Sequence, residues 1–198
     1  YKDTLMKKQN QISEKSYKAS GFIGRYQKLV TETVIPWQEK ILWDEAPDTE
    51  KSHAIANFIN AGKALRGEDT GDGFYGMVFQ DSDVAKWIES ASYSLMNDPD
   101  PELEAELDKV IGYISDAQDK DGYLNTYFTI KDQDKRWTNL HEAHELYVAG
   151  HMIEAACAHF EATGKRTLLD VMQKNTECIY DHFVTKNNPG VPGLPGAA

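Results

Sequence analysis

The chain has 198 residues, of which 40% are hydrophobic and 27% charged, a composition typical of a one-domain globular protein. No apolar run approaches the roughly 20 residues that a transmembrane helix needs, so a membrane protein is excluded. A formal charge of -11 disfavours nucleic acid and anionic membranes as partners and fits a neutral small molecule such as a sugar.

The N-terminus and the cysteines bear on cellular location. Residues 1–4 lack the basic and apolar layout of a secretory signal, which predicts a cytoplasmic protein, although an upstream signal segment stays open. The two cysteines, Cys157 and Cys178, are too few for a disulfide framework and show no CxxC spacing. Both fall within helical patterns, so we expect buried free thiols.

Helical periodicity dominates the first part of the chain. Residues 4–16 are polar and permit a helix with a thin apolar stripe. Apolar residues recur at helical spacing over 22–34 until Pro36, which we expect to stop that helix. Ser52 is a suitable N-cap for a further helix that carries apolar residues to Leu65.

A loop and two helices follow. The density of glycine and aspartate over residues 66–80 predicts a loop. Asp81 or Ser82 is expected to cap a strong amphipathic helix that runs to about Leu95. A proline-rich turn then places Pro101 at the first position of the next helix.

The second part of the chain combines one extended pattern with two helices. Residues 123–130 alternate apolar and aromatic side chains, which predicts a short strand or hairpin arm. Asn139 with Glu142 three residues on forms a capping box that opens a long helix, and Gly164 closes it. A last helix reaches about Phe183.

These elements predict an all-α fold, a stack of helical hairpins with short β segments in its loops. We place the domain at residues 1–186 and expect residues 187–198, rich in proline and glycine, to be a loop or a disordered tail. The longer loops, 66–80 and 119–138, carry many aromatic and amide groups. They should lie on one side of the stack, where we expect a ligand site.

Histidines supply the first candidates for chemistry. His141 and His144 are three residues apart, which is not the HExxH zinc pattern, and no third ligand is evident, so we expect no metal site in this chain. His144 shares a helical stripe with Tyr147. We interpret His151 and His159 as hydrogen-bonded structural residues.

Two further segments could line a sugar pocket. Gln80 and Asp81 precede a buried helix, although helix capping would also explain an acidic residue there. Asn125 and Tyr127 lie where aromatic faces could stack on a sugar while amides bind its hydroxyls, and a well-packed turn is an equal alternative. No pair of carboxylates stands out by its spacing as the catalytic pair of a glycosidase.

Several stretches taken together resemble glycoside hydrolase family 127, the β-L-arabinofuranosidases. The motifs occur in the family's order, and the resemblance spans about residues 21–183. The matching stretches are VIP at 34–36, SHAIxNF at 52–58, FYGMVFQDSDVAKW at 74–87, DGYLNTYF at 121–128, RWTNL at 136–140, HELY at 144–147, GH at 150–151 and FEATGK at 160–165.

The resemblance implies an (α/α)6 toroid, of which this chain would form about half, followed by β-sandwich domains in complete members. It also implies a retaining mechanism in which a zinc-bound cysteine thiolate attacks the anomeric carbon and a glutamate acts as acid and base. Those residues are expected outside this chain, because neither Cys157 nor Cys178 matches a family motif. Zinc would thus belong to the complete enzyme, and this chain alone would be inactive.

The implied function is that of a retaining glycosidase that releases L-arabinofuranose, or a related sugar, from arabinofuranosides. His144, in the HELY motif, is implied as a contact to a sugar hydroxyl, and Gln80, Asp81, Asn125 and Tyr127 are weaker candidates for the pocket wall. The alternative is a non-catalytic helical module that binds carbohydrate or acts as a scaffold. The oligomeric state stays open, with a homodimer as one option.

Overall fold

Helices make up the regular secondary structure of the described chain. The computed structural model describes residues 18–186, and this range contains no β-strand. The predicted all-α fold is confirmed, and the predicted short β segments are absent from these residues. Helices α1 to α9 are Gly21–Leu29, Ile35–Leu42, Ala54–Leu65, Asp81–Asn97, Pro101–Asp116, Thr126–Ile130, Leu140–Ala143, Glu145–Thr163 and Thr167–Tyr180. Short π-helical turns at Val30–Val34 and Asp181–Thr185 and a 3-10 turn at Gln133–Lys135 complete the set.

Two long helices, α4 and α8, pack side by side and run in the same direction. The ammonium group of Lys86 in α4 lies 5.3 Å from the ring centre of Tyr147 in α8. One helical turn further along both helices, Glu89 lies beside His151. The two helices therefore begin at the same end of the domain, which places the residues that precede α4 close to those that precede α8.

A second pair of helices runs in the opposite direction. Lys165, just before α9, forms an ion pair with Asp108 of α5 at 2.5 Å. The Gln118 side chain, just after α5, donates to the Val171 carbonyl oxygen in α9 at 2.8 Å. Helices α5 and α9 therefore run in one direction. Gly164 ends α8 with φ 76° and turns the chain back into α9, so α8 is antiparallel to both.

The core lies between these helices and also joins α2 and α3 to them. The Trp87 indole N–H donates to the Ile35 carbonyl oxygen at 3.3 Å, which connects α4 to α2. Each large apolar side chain buried here stabilises the fold by about 1.5–3 kcal/mol. The largest fully buried side chains are Trp87, Tyr123, Phe58, Ile35, Ile55, Ile88, Leu107, Ile111, Ile114, Met152, Leu168 and Met172.

Pro36 does not end its helix, so that prediction is wrong. Helix α1 continues through the π-helical turn Val30–Val34 into α2, and Pro36 occupies the first turn of α2. Proline has no N–H to donate and its ring crowds the preceding turn. The wider π turn just before it accommodates both effects, so the helical path runs on to Leu42.

The predicted strand over residues 123–130 does not form, because residues 126–130 are the short helix α6, although Asn125, the residue before it, has an extended backbone. The Asn125 side-chain oxygen accepts the Phe128 N–H at 3.1 Å, which caps the short helix α6. The Thr126 N–H donates to the Asp81 carboxylate at 2.8 Å. Both contacts favour a helical turn over the strand that the alternating pattern predicts.

Three predicted caps differ in detail from the structure. The residue before α3 is His53, in the left-handed region with φ 54°, while the Ser52 hydroxyl accepts the Ala54 N–H at 3.2 Å. Gln80 precedes α4, so neither Asp81 nor Ser82 is its cap. Asn139 does accept the Glu142 N–H at 3.2 Å, as predicted, but the helix that it caps is a single turn. The long helix begins only after His144.

The two cysteines lie in different environments. Cys157 is exposed, so the prediction of a buried thiol is wrong there; the neighbouring Ala156 and Ala158 take the inward positions of α8. Cys178 is half-buried, and burial, together with the charge of Asp121, raises the pKa of its thiol to about 11.

Two predicted segments lie outside the described residues. They are the helix predicted over residues 4–16 and the loop or tail predicted over residues 187–198. Across residues 18–186, every helix is too short or too polar to cross a bilayer.

Gly122 provides a test of the contact between α9 and the loop after α5. Its φ is +89°, and a Cβ there would lie 2.4 Å from the Lys174 carbonyl oxygen. We expect Gly122→Ala to lower the free energy of unfolding by about 3 kcal/mol. Gly112, inside α5, has nothing within 4 Å of a built Cβ. Gly112→Ala should raise the free energy of unfolding by about 0.5–1 kcal/mol.

Urea unfolding of both variants beside the parent protein measures the difference. Equal stability of the two variants would contradict the close approach of Gly122 to α9.

Candidate functional site

The N-terminal ends of α4, α6 and α8 meet at one end of the domain. Asp81, the first residue of α4, is only 2% exposed. One of its carboxylate oxygens accepts the Thr126 N–H at 2.8 Å, and the other accepts the Thr126 hydroxyl at 2.5 Å. These bonds hold the start of α6 against the start of α4, and they bring the segment around Asn125 and Tyr127 beside Gln80.

Burial governs the charge of Asp81. Removal from water raises the pKa of its carboxyl to about 6, although both hydrogen bonds from Thr126 act in the opposite direction. The nearby charge of Asp83 adds a smaller upward shift. Because its oxygens are engaged by Thr126, the main action of Asp81 within this chain is to hold the two helix starts together.

The other polar candidates differ in how many of their hydrogen-bonding atoms already have a partner. The Asn125 amide nitrogen is buried and lacks a hydrogen-bond partner among residues 18–186. The Tyr127 hydroxyl donates to Asp132 at 2.9 Å. The Gln80 side-chain oxygen accepts the Met77 N–H at 3.3 Å, which leaves its amide N–H groups for other partners.

His144 is held at a sharp break in the chain between α7 and α8. Its backbone lies in the left-handed region, with φ 55° and ψ 22°. Its ring lies 5.2 Å from Phe79 and 5.8 Å from Tyr147, measured between ring centres. The structure therefore places His144 beside the residue that precedes Gln80, so these two predicted site residues share one end of the domain.

The ring nitrogens of His144 have different roles. Nδ1 lies 2.8 Å from the Glu142 carbonyl oxygen. A carbonyl oxygen only accepts hydrogen bonds, so Nδ1 must carry the proton. In the neutral ring Nε2 is then an acceptor, and among the described residues it has no hydrogen-bond partner. The neutral ring of His144 therefore offers one acceptor atom, Nε2.

A buried carboxylate lies directly behind His144. Glu145, 3% exposed, accepts the Tyr123 hydroxyl at 2.5 Å and the Trp137 N–H at 2.9 and 3.1 Å. Burial raises the pKa of Glu145, and the bonds from Tyr123 and Trp137 and the charge of Arg136 oppose that rise. Burial and the Glu145 charge raise the pKa of Tyr123, which keeps its hydroxyl protonated as a donor.

Sequence reasoning found the residues at the helix starts and missed the network that supports them. Glu145 reads in the sequence as an ordinary acidic first residue of a helix. Trp137 has φ 64°, and a tryptophan carries no signal for that conformation. The one available signal was the position of Glu145 directly after a candidate histidine.

Metal-ligating groups in the described chain are few. Glu89, His151 and Glu154 bring ligand atoms within 4.8 Å of one another. The His151 Nδ1 lies 3.2 Å from a carboxylate oxygen of Glu154, which is itself exposed, but it forms no hydrogen bond in the described structure, contrary to the predicted hydrogen-bonded role. His159 is buried as predicted for a structural residue, but neither ring nitrogen has a hydrogen-bond partner in the described structure.

The thiolate-bound zinc that the family resemblance implies does not fit the cysteines of this chain. Cys157 is exposed on α8, and Cys178, with its raised pKa, is a protonated thiol at neutral pH. Neither cysteine belongs to a group of potential ligands among residues 18–186. Cys157 and Cys178 therefore support no reaction step that uses zinc.

A cavity of about 650 Å³ lies between α9 and the loops that carry Gly122 and Trp137, and none of the predicted site residues lines it. Its charged lining is balanced, with four basic and four acidic side chains. These are Lys120, Arg136, Lys174, Lys186, Asp121, Asp134, Glu177 and Asp181. This balance favours no charged ligand.

Comparison with known proteins gives a consistent result. The family described as β-L-arabinofuranosidase, GH127 catalytic domain, matches residues 18–193. A non-reducing end β-L-arabinofuranosidase of Bifidobacterium longum subsp. longum is 41% identical over 180 residues, which is 83% of this chain and 27% of that protein. The chain thus spans about a quarter of the length of that relative.

Two solved structures share the fold. Ara127N-Se, a GH127 β-L-arabinofuranosidase from Geobacillus stearothermophilus T6, has a TM-score of 0.77 at 54% identity, over 82% of this chain and 25% of that one. BT3674, a GH127 β-arabinofuranosidase, has a TM-score of 0.73 at 33% identity, over 85% of this chain and 26% of that one.

Because the pKa of Asp81 is raised in the folded state, its contribution to the free energy of unfolding should depend on pH. The folded state holds the proton up to about pH 6, whereas an unfolded aspartate releases it near pH 4. Stability contributed by the protonated form is therefore lost as the pH rises from about 4 to 6. Asp81→Asn stays neutral and can still accept the Thr126 N–H and donate to its hydroxyl.

As the pH rises from 4 to 7, we expect the free energy of unfolding of Asp81→Asn to increase by about 2–3 kcal/mol relative to that of the parent protein. Urea unfolding at several pH values measures this. A stability difference that does not change with pH would contradict a raised pKa, and Thr126→Val, which removes the hydroxyl donor, should raise the pKa further.

The expectation that this chain holds no zinc also stays a prediction. Elemental analysis of the purified chain after dialysis should find less than about 0.1 zinc per molecule, because the one group of three ligands among residues 18–186 includes a single histidine and an exposed glutamate. One tightly held zinc per molecule, lost in His151→Ala, would contradict it.

Proposed function

This chain belongs to the GH127 β-L-arabinofuranosidase catalytic-domain family, and we propose that it is part of a retaining glycoside hydrolase that releases L-arabinofuranose from arabinofuranosides. The relatives are named as arabinofuranosidases, and we extend that activity to the complete protein; the retaining course is what the family resemblance implies. The charge of -11 is consistent with a neutral sugar as substrate.

We place this chain in an (α/α)6 toroid. In such a fold, neighbouring helices of one layer run in the same direction and the two layers run in opposite directions. The parallel pair α4 and α8 and the opposed pair α5 and α9 fit the inner and outer layers of that arrangement. The starts of α4 and α8 would then lie together at one mouth of the toroid, where the sugar would bind.

The single observation that carries the site is the 2.8 Å contact between the His144 Nδ1 and the Glu142 carbonyl oxygen. With Nδ1 committed to the Glu142 carbonyl oxygen, the unpartnered Nε2 can accept a hydrogen bond from a sugar hydroxyl. The Gln80 amide N–H groups and the Tyr127 ring would add donors and an aromatic surface nearby. Asp81 and Asn125 would shape the pocket from behind, since both side chains are buried.

We place the nucleophile and the proton donor outside this chain. When bound by the complete enzyme, zinc would supply an activated thiolate at neutral pH. The part of this chain would be to bind and orient the sugar. His144 would act in binding and not in proton transfer.

His144→Ala in the full-length protein tests the binding role. Loss of one hydrogen bond to a buried hydroxyl costs roughly 0.5–1.5 kcal/mol, and more when the hydroxyl is left unpaired. We expect kcat/KM on p-nitrophenyl β-L-arabinofuranoside to fall about tenfold to a few hundredfold while the protein stays folded.

The matched control is His141→Ala. His141 lies three residues away, with its side chain 85% exposed and paired with Glu142. It should leave kcat/KM within about twofold of the parent value. Parent-like kinetics in His144→Ala would contradict the binding role, and loss of folding without any change in sugar affinity would make His144 a structural residue.

A further inference from the structure

Glu145 closes the chain segment that contains His144. Its carboxylate accepts the Trp137 N–H, eight residues earlier, at 2.9 and 3.1 Å. The segment 137–145 is therefore a loop whose two ends are bound to each other. The same carboxylate accepts the Tyr123 hydroxyl, so the closed loop is also fixed to the chain that follows α5.

Both ends of this loop carry non-glycine residues in the left-handed region. Trp137 has φ 64° and His144 has φ 55°. Side chains rarely adopt this conformation unless surrounding contacts impose it. The Glu145 carboxylate accepts the backbone N–H of Trp137, and His144 directly precedes Glu145 in the chain.

The groups that donate to Glu145 are themselves packed against neighbouring side chains. The Trp137 ring is 7% exposed and packs on Tyr123 at 5.1 Å and on Phe183 at 5.5 Å between ring centres. The Arg136 guanidinium lies 4.0 Å from the Tyr123 ring centre and 2.8 Å from Asp119. Movement of the Glu145 carboxylate would therefore leave buried donors on Tyr123 and Trp137 unpaired.

We propose that Glu145 is a positioning residue for His144. By closing the 137–145 loop on Trp137 and Tyr123, it fixes the left-handed turn at His144 and so directs the free Nε2 toward the sugar. The proposal rests on the sugar-binding role of His144. It assigns to the glutamate of the HELY motif a function that requires no contact with the substrate.

The contacts at this position require an acceptor. Glu145 accepts from an N–H and an O–H and has two oxygens with which to do so. A methionine of similar length and volume offers neither oxygen, so Glu145→Met leaves the Trp137 N–H and the Tyr123 hydroxyl without their acceptor and opens the loop with little change in packing volume. A glutamine can accept the Trp137 N–H and donate to the Tyr123 hydroxyl oxygen, so Glu145→Gln should keep the loop closed.

A double-variant cycle in the full-length protein tests the proposal, with p-nitrophenyl β-L-arabinofuranoside as the substrate. We expect Glu145→Met to lower kcat/KM about tenfold to a hundredfold, mainly through KM, because a misplaced binding group weakens the sugar contact. Glu145→Met combined with His144→Ala should be no worse than His144→Ala alone, within about twofold. Glu145→Gln, which keeps an acceptor for Trp137, should retain most of the parent activity, and a loss as large as that of Glu145→Met would contradict the role of these hydrogen bonds. Glu161→Met, on the exposed face of the same helix, is the control and should match the parent protein.

A structural readout accompanies the kinetics. Amide hydrogen exchange in peptides that cover residues 136–145 should become faster in Glu145→Met and stay unchanged in Glu161→Met. Unchanged exchange in Glu145→Met would overturn the proposal, because the loop would then be closed without the hydrogen bonds to residue 145.

The kinetic outcomes separate two failures. If His144→Ala lowers kcat/KM but the double variant loses the product of the two single effects, the sugar contact stands and the positioning role is overturned. If His144→Ala behaves as the parent protein does, the proposed sugar contact itself is wrong, and the positioning role fails with it.

Discussion

The parallel packing of α4 against α8 is the constraint on which the rest of this structure depends. Both helices carry small residues on their buried faces, including Ala85 and Ala91 in α4 and Ala155 and Ala156 in α8. Small side chains let the two backbones approach closely over their whole length. Because the helices also run in one direction, their N-terminal ends lie together, and each of these ends carries a motif that the sequence singled out.

At each of those ends an acidic first residue points into the protein and takes hydrogen bonds from another loop. Asp81 accepts from Thr126, and Glu145 accepts from Trp137 and Tyr123. A buried carboxylate is costly unless its oxygens find donors. The positive end of each helix offsets part of that cost. The two contacts therefore fix the loops that surround the candidate site, so the polar residues there are held by interactions that continue deep into the fold.

The candidate residues consequently divide by function within the same small region. Asp81 and Asn125 are buried and hold helix starts, whereas His144 keeps one ring nitrogen available and Gln80 keeps its amide N–H groups. A rigid inner set of polar groups beneath a less engaged outer set is the arrangement expected of a preorganised binding site. The adjacent residues His144 and Glu145 show the same division, because the His144 ring keeps one nitrogen available while the Glu145 carboxylate is buried and accepts hydrogen bonds within the protein.

Local sequence signals determined the helical class, most helix positions and several caps. Pro101 at a first helical position, Gly164 at a helix end and the amphipathic pattern of α4 act within one or two turns, so the chain encodes them locally. Long motifs in a fixed order likewise identified the family. The break at His144, the inward turn of Asp81 and the left-handed backbone of Trp137 depend on partners 8 to 45 residues away. Only the tertiary structure could decide them, because a buried carboxylate takes its conformation from the donors that the fold brings to it.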